Sequence, residues 1–183
     1  RSVSTLDISQ RAVVSFIQEL PFGRQRRLGS QWPRWLDLAI GQWQVNGILS
    51  LATGLPLALT APNTSGAFSS VQRPNVIGDA SLPGDRPKAD KIREWFNTRA
   101  FAQPAAFTFG NGPRTLPNVR APGERNFDFS LFKGFKFGEE RRLEFRAEFF
   151  NLTNTPNFAV PGQGFGSSAF GVISSQVNDP RQV

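Results

Sequence analysis

Cysteine, histidine, methionine and tyrosine are all absent from this 183-residue chain. Without cysteine there is no disulfide framework and no thiolate metal site, and the redox compartment is left open. Without histidine there is no Ser-His-Asp triad and no imidazole ligand set. The missing methionine leads us to expect a fragment or a processed product rather than a natural start. Long apolar runs are missing too: none approaches the roughly eighteen residues of a membrane-spanning helix. No signal peptide opens the chain.

The acids that remain make poor catalysts. Glu139 and Glu140 fall in a short polar stretch and read as solvated. Glu144 and Glu148 each lie two residues from an arginine on the same strand face, which favours their ionised form over a raised-pKa general acid. The spacing 162–166, Gly-Gln-Gly-Phe-Gly, lacks the Lys-Ser/Thr of a phosphate-binding loop and reads as a flexible loop. We therefore expect no enzyme activity, no cofactor and no metal.

The net charge of +7 comes from 21 basic and 14 acidic residues. The basic residues are scattered, with one local cluster at Arg24, Arg26 and Arg27. No helix-turn-helix, zinc finger or aromatic RNA-binding signature accompanies them, so nucleic acid is not an expected partner.

What the chain does have is phenylalanine, eighteen of them, with four tryptophans. Residues 142–149 alternate strictly. Arg142, Glu144, Arg146 and Glu148 point one way along a strand, and Leu143, Phe145, Ala147 and Phe149 point the other. The preceding segment repeats the pattern. Phe127, Phe129, Leu131, Phe135 and Phe137 share a face interrupted by Lys133; Asn126, Asp128, Ser130, Gly134 and Lys136 share the other, interrupted by Phe132. The polar stretch 138–141 joins the two as a hairpin with strands of about ten residues, the length of a tilted membrane-barrel strand. In a third segment Trp43, Val45, Leu49 and Leu51 alternate with Gln42, Gln44, Asn46 and Ser50. A fourth, 11–20, is weaker: Ala12, Val14, Phe16 and Leu20 oppose Arg11, Ser15 and Glu19, with Val13 and Ile17 breaking the polar side.

A greasy row opposite an ionic or amide row is what a barrel strand needs between lipid and a wet lumen. The expected fold class is thus all-β: part of an antiparallel transmembrane β-barrel, an open sheet of about four to five strands covering 10–20, 42–60, 126–137 and 142–152. The apolar rows are the lipid-facing candidates and the polar rows the lumen-facing candidates. The long Pro- and Gly-rich stretches 61–125 and 151–179 read as loops, the first with a short helix at 89–96. Barrels have short periplasmic turns and long extracellular loops. That rule makes 138–141 periplasmic and the two long loops extracellular. The 21–41 connection is then periplasmic, with Trp32 and Trp35 as interface anchors. Trp95, Phe96, Phe107 and Phe109 are the aromatic candidates for ligand contact in the long loop.

Several landmarks occur in order: Leu20-Pro21-Phe22-Gly23, Gly41-Gln42-Trp43-Gln44-Val45-Asn46-Gly47-Ile48 and Thr53-Gly54-Leu55-Pro56. Trp95-Phe96-Asn97 and Ala100-Phe101 follow, then Asn126-Phe127-Asp128-Phe129-Ser130-Leu131-Phe132-Lys133. Phe145-Arg146-Ala147-Glu148-Phe149-Phe150-Asn151-Leu152, Pro156-Asn157-Phe158, Phe170-Gly171 and Asp179-Pro180-Arg181-Gln182 complete the set. In this order and spacing, over nearly the whole chain, they resemble the C-terminal part of the barrel of Oar-like TonB-dependent outer-membrane transporters.

The resemblance implies a larger parent protein with an N-terminal β-sandwich, a plug and a barrel of about 22 strands. On that view residues 1–183 are a partial barrel, without the plug and the last strand. It also implies solute uptake in the bacterial outer membrane. The partners would be lipid, the plug, an energy-coupling protein reached through the N-terminal part, and an unknown solute. Two departures from the family pattern are the absence of tyrosine from the girdles and Gln18 at a position relatives often give to an aromatic. The rival reading is a soluble or secreted β-rich carbohydrate-binding or adhesin module.

Overall fold

The structure, a computed structural model, describes residues 2–24, 26–137 and 141–183, without the side chains of Lys136, Phe137 and Arg142. Of the expected turn 138–141, residues 138–140 lie outside the described residues and Arg141 is the first residue of a strand; the side chains of the candidates Phe137 and Arg142 also lie outside them.

The chain divides into two compact units. One, residues 12–51, 125–156 and 179–183, is built on a four-stranded sheet. Its strands are β1 (Arg11–Glu19), β2 (Trp43–Ala52), β7 (Glu124–Phe137) and β8 (Arg141–Phe149), in the spatial order β1-β2-β7-β8. Leu20 N–H donates to Trp43 O at one end of β1 and Thr53 N–H to Gln10 O at the other, so β1 and β2 run antiparallel. The β7–β8 register runs from Phe129 opposite Phe149 to Phe137 opposite Arg141, also antiparallel.

That register keeps the odd residues of β7 beside Leu143, Phe145, Ala147 and Phe149. The Trp43 and Phe145 rings meet edge to face at 5.8 Å, which brings the odd residues of β2 to the same face. At Gly47 a Cβ would run into the rings of Phe16 and Phe127, so glycine there lets the even residues of β1 join that face. One apolar face therefore crosses all four strands. It is left open: Phe16, Phe145 and Leu143 stay 43%, 47% and 58% exposed.

Three strand limits differ from the sequence expectation. β2 ends at Ala52 rather than near residue 60, because Gly54 packs backbone to backbone on Ala121 and Pro56 has no N–H to donate. β8 ends at Phe149 because Asn151 takes a left-handed conformation (φ 49°) and its amide bonds both the N–H and the C=O of Thr155. Beyond this turn, Phe150 and Gln182 exchange backbone hydrogen bonds of 3.0 and 3.1 Å. The 21–41 connection holds a helix the sequence reading did not foresee, α1 (Arg34–Ile40). Pro33 opens it, where a missing N–H costs nothing.

The other unit, residues 1–11, 52–124 and 157–178, absorbs both stretches read as loops. They fold together rather than standing apart. Phe165 N–H donates to Thr60 O, Trp95 N–H to Gly171 O and Ile173 N–H to Ile92 O. The β3 (Ala61–Pro62) and β4 (Val71–Gln72) pair and the β5 (Asn75–Val76) and β6 (Phe101–Ala102) pair are two-residue ladders. The expected helix is α2 (Lys88–Arg93), shorter than 89–96. The core comprises Leu57, Leu59, Phe96, Ala100, Phe101, Leu116, Val119 and Ala121, with Phe165 and Phe170 packed against it. Among the described residues, every fully buried hydrophobic side chain belongs to this unit.

Candidate functional site

The polar face of the sheet carries the densest chemistry. Arg146 Nε donates to Glu144 Oε1 at 2.6 Å, and its guanidinium sits 5.2 Å from the Phe132 ring centroid. Arg26 pairs with Glu19 at 2.5 Å. The Gln44 amide also pairs within its row, its Nε2 donating to Asn46 Oδ1 at 2.9 Å. Glu19, Arg26, Gln44, Glu144 and Arg146 line one hollow of about 500 Å³, together with Gln42, which precedes β2 at a left-handed φ of 59°. These are saturated, mutually paired charges, suited to a wet surface that binds by hydrogen bonds rather than to proton transfer.

A second hollow on this face, about 590 Å³, is of mixed character. Asp128 and Glu148 line it beside Ile17, Ile48 and Phe150. Asp128 accepts from Asn151 N–H and Asn126 Nδ2, both at 2.9 Å. Ile17, noted in the sequence as one of the breaks in the polar row, thus lines this hollow with Ile48 and Phe150. Reading strands singly missed it, because it forms only when β1 and β2 lie side by side.

On the apolar face the structure brings the candidates Trp43, Phe135 and Phe145 around one cation. Lys133, the interruption in the greasy row, is only 3% exposed. Its Nζ donates to Gly41 O at 2.6 Å and lies 5.0 Å from the Trp43 ring and 5.3 Å from the Phe135 ring. Trp43 Nε1 donates to Ala39 O of α1. Phe127, Phe129 and Phe149 form a separate tilted stack, with centroids 6.2–6.4 Å apart. Val45, Leu49, Leu51 and Leu131 occupy the same rows, and Ser50, Ser130 and Glu148 the opposite ones.

The four aromatic candidates in the other unit separate into two kinds. Phe96 is fully enclosed, edge to face with Phe101 at 5.8 Å and Phe170 at 5.1 Å. Trp95 packs on the same core, and its indole donates to Arg120 O at 2.7 Å. Phe96 is corrected here from a ligand contact to a packing residue: an enclosed ring reaches no ligand without breaking its core. Trp95 is only partly buried. Phe107 and Phe109 do face outward, and Phe109 edges a hollow of about 470 Å³ beside Val71 and Arg73. Asp79 is also at the surface of this unit. The Ser81 N–H, then its hydroxyl, hold that carboxyl below the ordinary carboxylate range, the mark of an ionised turn residue. Among the described residues no acids gather into a metal-binding group. No described helix is long and apolar enough to cross a membrane.

A family model described as Outer membrane beta barrel domain matches residues 1–183. No curated protein and no solved structure matches the chain.

Proposed function

The chain belongs to the outer membrane beta barrel domain family and resides in the bacterial outer membrane, and from that premise we propose that it forms the C-terminal part of a TonB-dependent, Oar-like transporter barrel taking up a solute. The observation that carries this reading is the uncovered apolar face that crosses all four strands, opposite a face of paired charges and amides. In a closed barrel the first meets lipid and the second the lumen. The Arg142/Glu144/Arg146/Glu148 row then pairs with neighbouring strands and with a plug.

The connectivity supports the transporter part of the proposal. The excursions 53–123 and 150–178 leave the sheet at the ends of β2 and β8, opposite the end where β7 finishes at Phe137 and β8 begins at Arg141. Barrels extend their long segments on the extracellular side, where solute arrives. The outward aromatics Phe107 and Phe109 are the proposed capture contacts. The chain is proposed to carry no reaction of its own. Plug and energy-coupling protein would act through an N-terminal part of the parent protein.

Shortening the 61–125 segment in the full-length protein tests this. Uptake, screened with iron chelates, oligosaccharides and peptides, is expected to fall while the barrel remains inserted. It should also stop when the inner-membrane proton gradient is collapsed. Uptake that survives both treatments overturns the proposal.

A further inference from the structure

The helical connection between β1 and β2 has a composition that neither the sheet nor a soluble loop explains. Trp35 is 69% exposed, and Leu38, Ala39 and Ile40 are exposed beside it. Trp35, Leu38 and Ala39 follow the i, i+3, i+4 spacing of a single helix face. The opposite side is anchored inward. Asp37 Oδ1 accepts from Arg24 N–H at 2.8 Å, and Asp37 O accepts from Gly41 N–H.

The connection is also fastened to the apolar face of the sheet. Trp43 and Lys133, both on that face, reach up to Ala39 O and Gly41 O. Between connection and sheet lies a hollow of about 410 Å³. Arg24, Arg34, Asp37, Leu38, Lys133 and Phe135 line it, with Gly41, Gln42 and Gly134. Lys133 is buried and occupied by Gly41 O, and Asp37 stands as its nearby opposite charge. The two arginines, both exposed, therefore remain as the cations of the hollow, in a lining that includes Phe135 of the apolar row.

We propose that this hollow seats the phosphate headgroup of an anionic membrane phospholipid on Arg24 and Arg34, with its acyl chain running along Leu38 and Phe135, and that α1 lies in the membrane interface. The inference rests on the membrane-barrel reading above. Guanidinium groups pair with phosphate oxygens, and an exposed Trp-Leu face partitions to the headgroup boundary. The site lies at the end of the sheet where β7 finishes and β8 begins, the periplasmic end by the barrel rule, so the lipid is that of the inner leaflet.

The test uses the full-length protein in phosphatidylcholine vesicles doped with headgroup-photoactivatable phosphatidylglycerol or phosphatidylcholine. Crosslinked peptides are mapped by mass spectrometry. Phosphatidylglycerol is expected to label peptides spanning 24–41 preferentially. The Arg24→Gln/Arg34→Gln variant should lower that labelling by about fivefold per arginine, the surface worth of one basic residue. Labelling of the β7 and β8 peptides should stay unchanged, which reports that the barrel is still inserted. Equal labelling of 24–41 by both lipids in the unaltered protein overturns the headgroup site alone. Protein that urea strips from the vesicles overturns the membrane reading and this inference together.

Discussion

The ammonium of Lys133 stands 5.0 Å from the centre of the Trp43 indole, in the middle of a row that otherwise faces outward as phenylalanine and leucine. A lysine in a lipid-facing row is costly unless it is satisfied locally. Here it donates a hydrogen bond to Gly41 O, and the Trp43 and Phe135 rings cover it. Lys133 therefore acts as a pin between the sheet and the α1 connection. Lys133→Met removes a charge-assisted hydrogen bond and two cation–π contacts. It should lower the stability of the folded barrel by about 2 kcal/mol. Urea unfolding in vesicles reads this. An unchanged or raised stability would mean that the lysine is merely tolerated in the row.

The two faces of β7 and β8 should respond oppositely to charge. Phe129→Arg or Phe145→Arg is expected to impair membrane assembly by roughly 2–4 kcal/mol near the midplane. Arg146→Gln loses only its pairing with Glu144 and should assemble nearly as well as the unaltered protein. A folding assay into vesicles that ranks the three equally would contradict the assignment of faces.

Phe96 is the centre of an aromatic cluster, so its truncation leaves a cavity. Phe96→Ala should destabilise the unit formed by residues 1–11, 52–124 and 157–178 by about 3–5 kcal/mol. Limited proteolysis of the inserted protein should then cut within that unit while β7 and β8 remain protected. Resistance equal to that of the unaltered protein would show that the cluster contributes little.

Gly54 closes β2 by bringing its backbone against the Ala121 carbonyl, where a Cβ has no room. Gly54→Ala should cost about 1–3 kcal/mol through this overlap. The effect should appear as earlier thermal loss of the same unit, whereas Gly84→Ala, with open space around it, should be neutral.

The sequence by itself determined the strands and their two faces. Alternation is a property of the extended backbone, in which neighbouring side chains point oppositely whatever surrounds them. Residues 142–149 and 126–137 were legible for that reason, and so was their antiparallel pairing. Tertiary structure decided what no local pattern carries. Phe96 looked like a surface aromatic in a Pro- and Gly-rich stretch, but it is a packing residue because Phe170 closes over it from another part of the chain. The long stretches became one folded unit through contacts such as Thr60 with Phe165. Lys133 looked like a flaw in the greasy row; its partner Gly41 is 92 residues away. Burial and pairing of this kind depend on which distant segments meet, and only the folded chain brings them together.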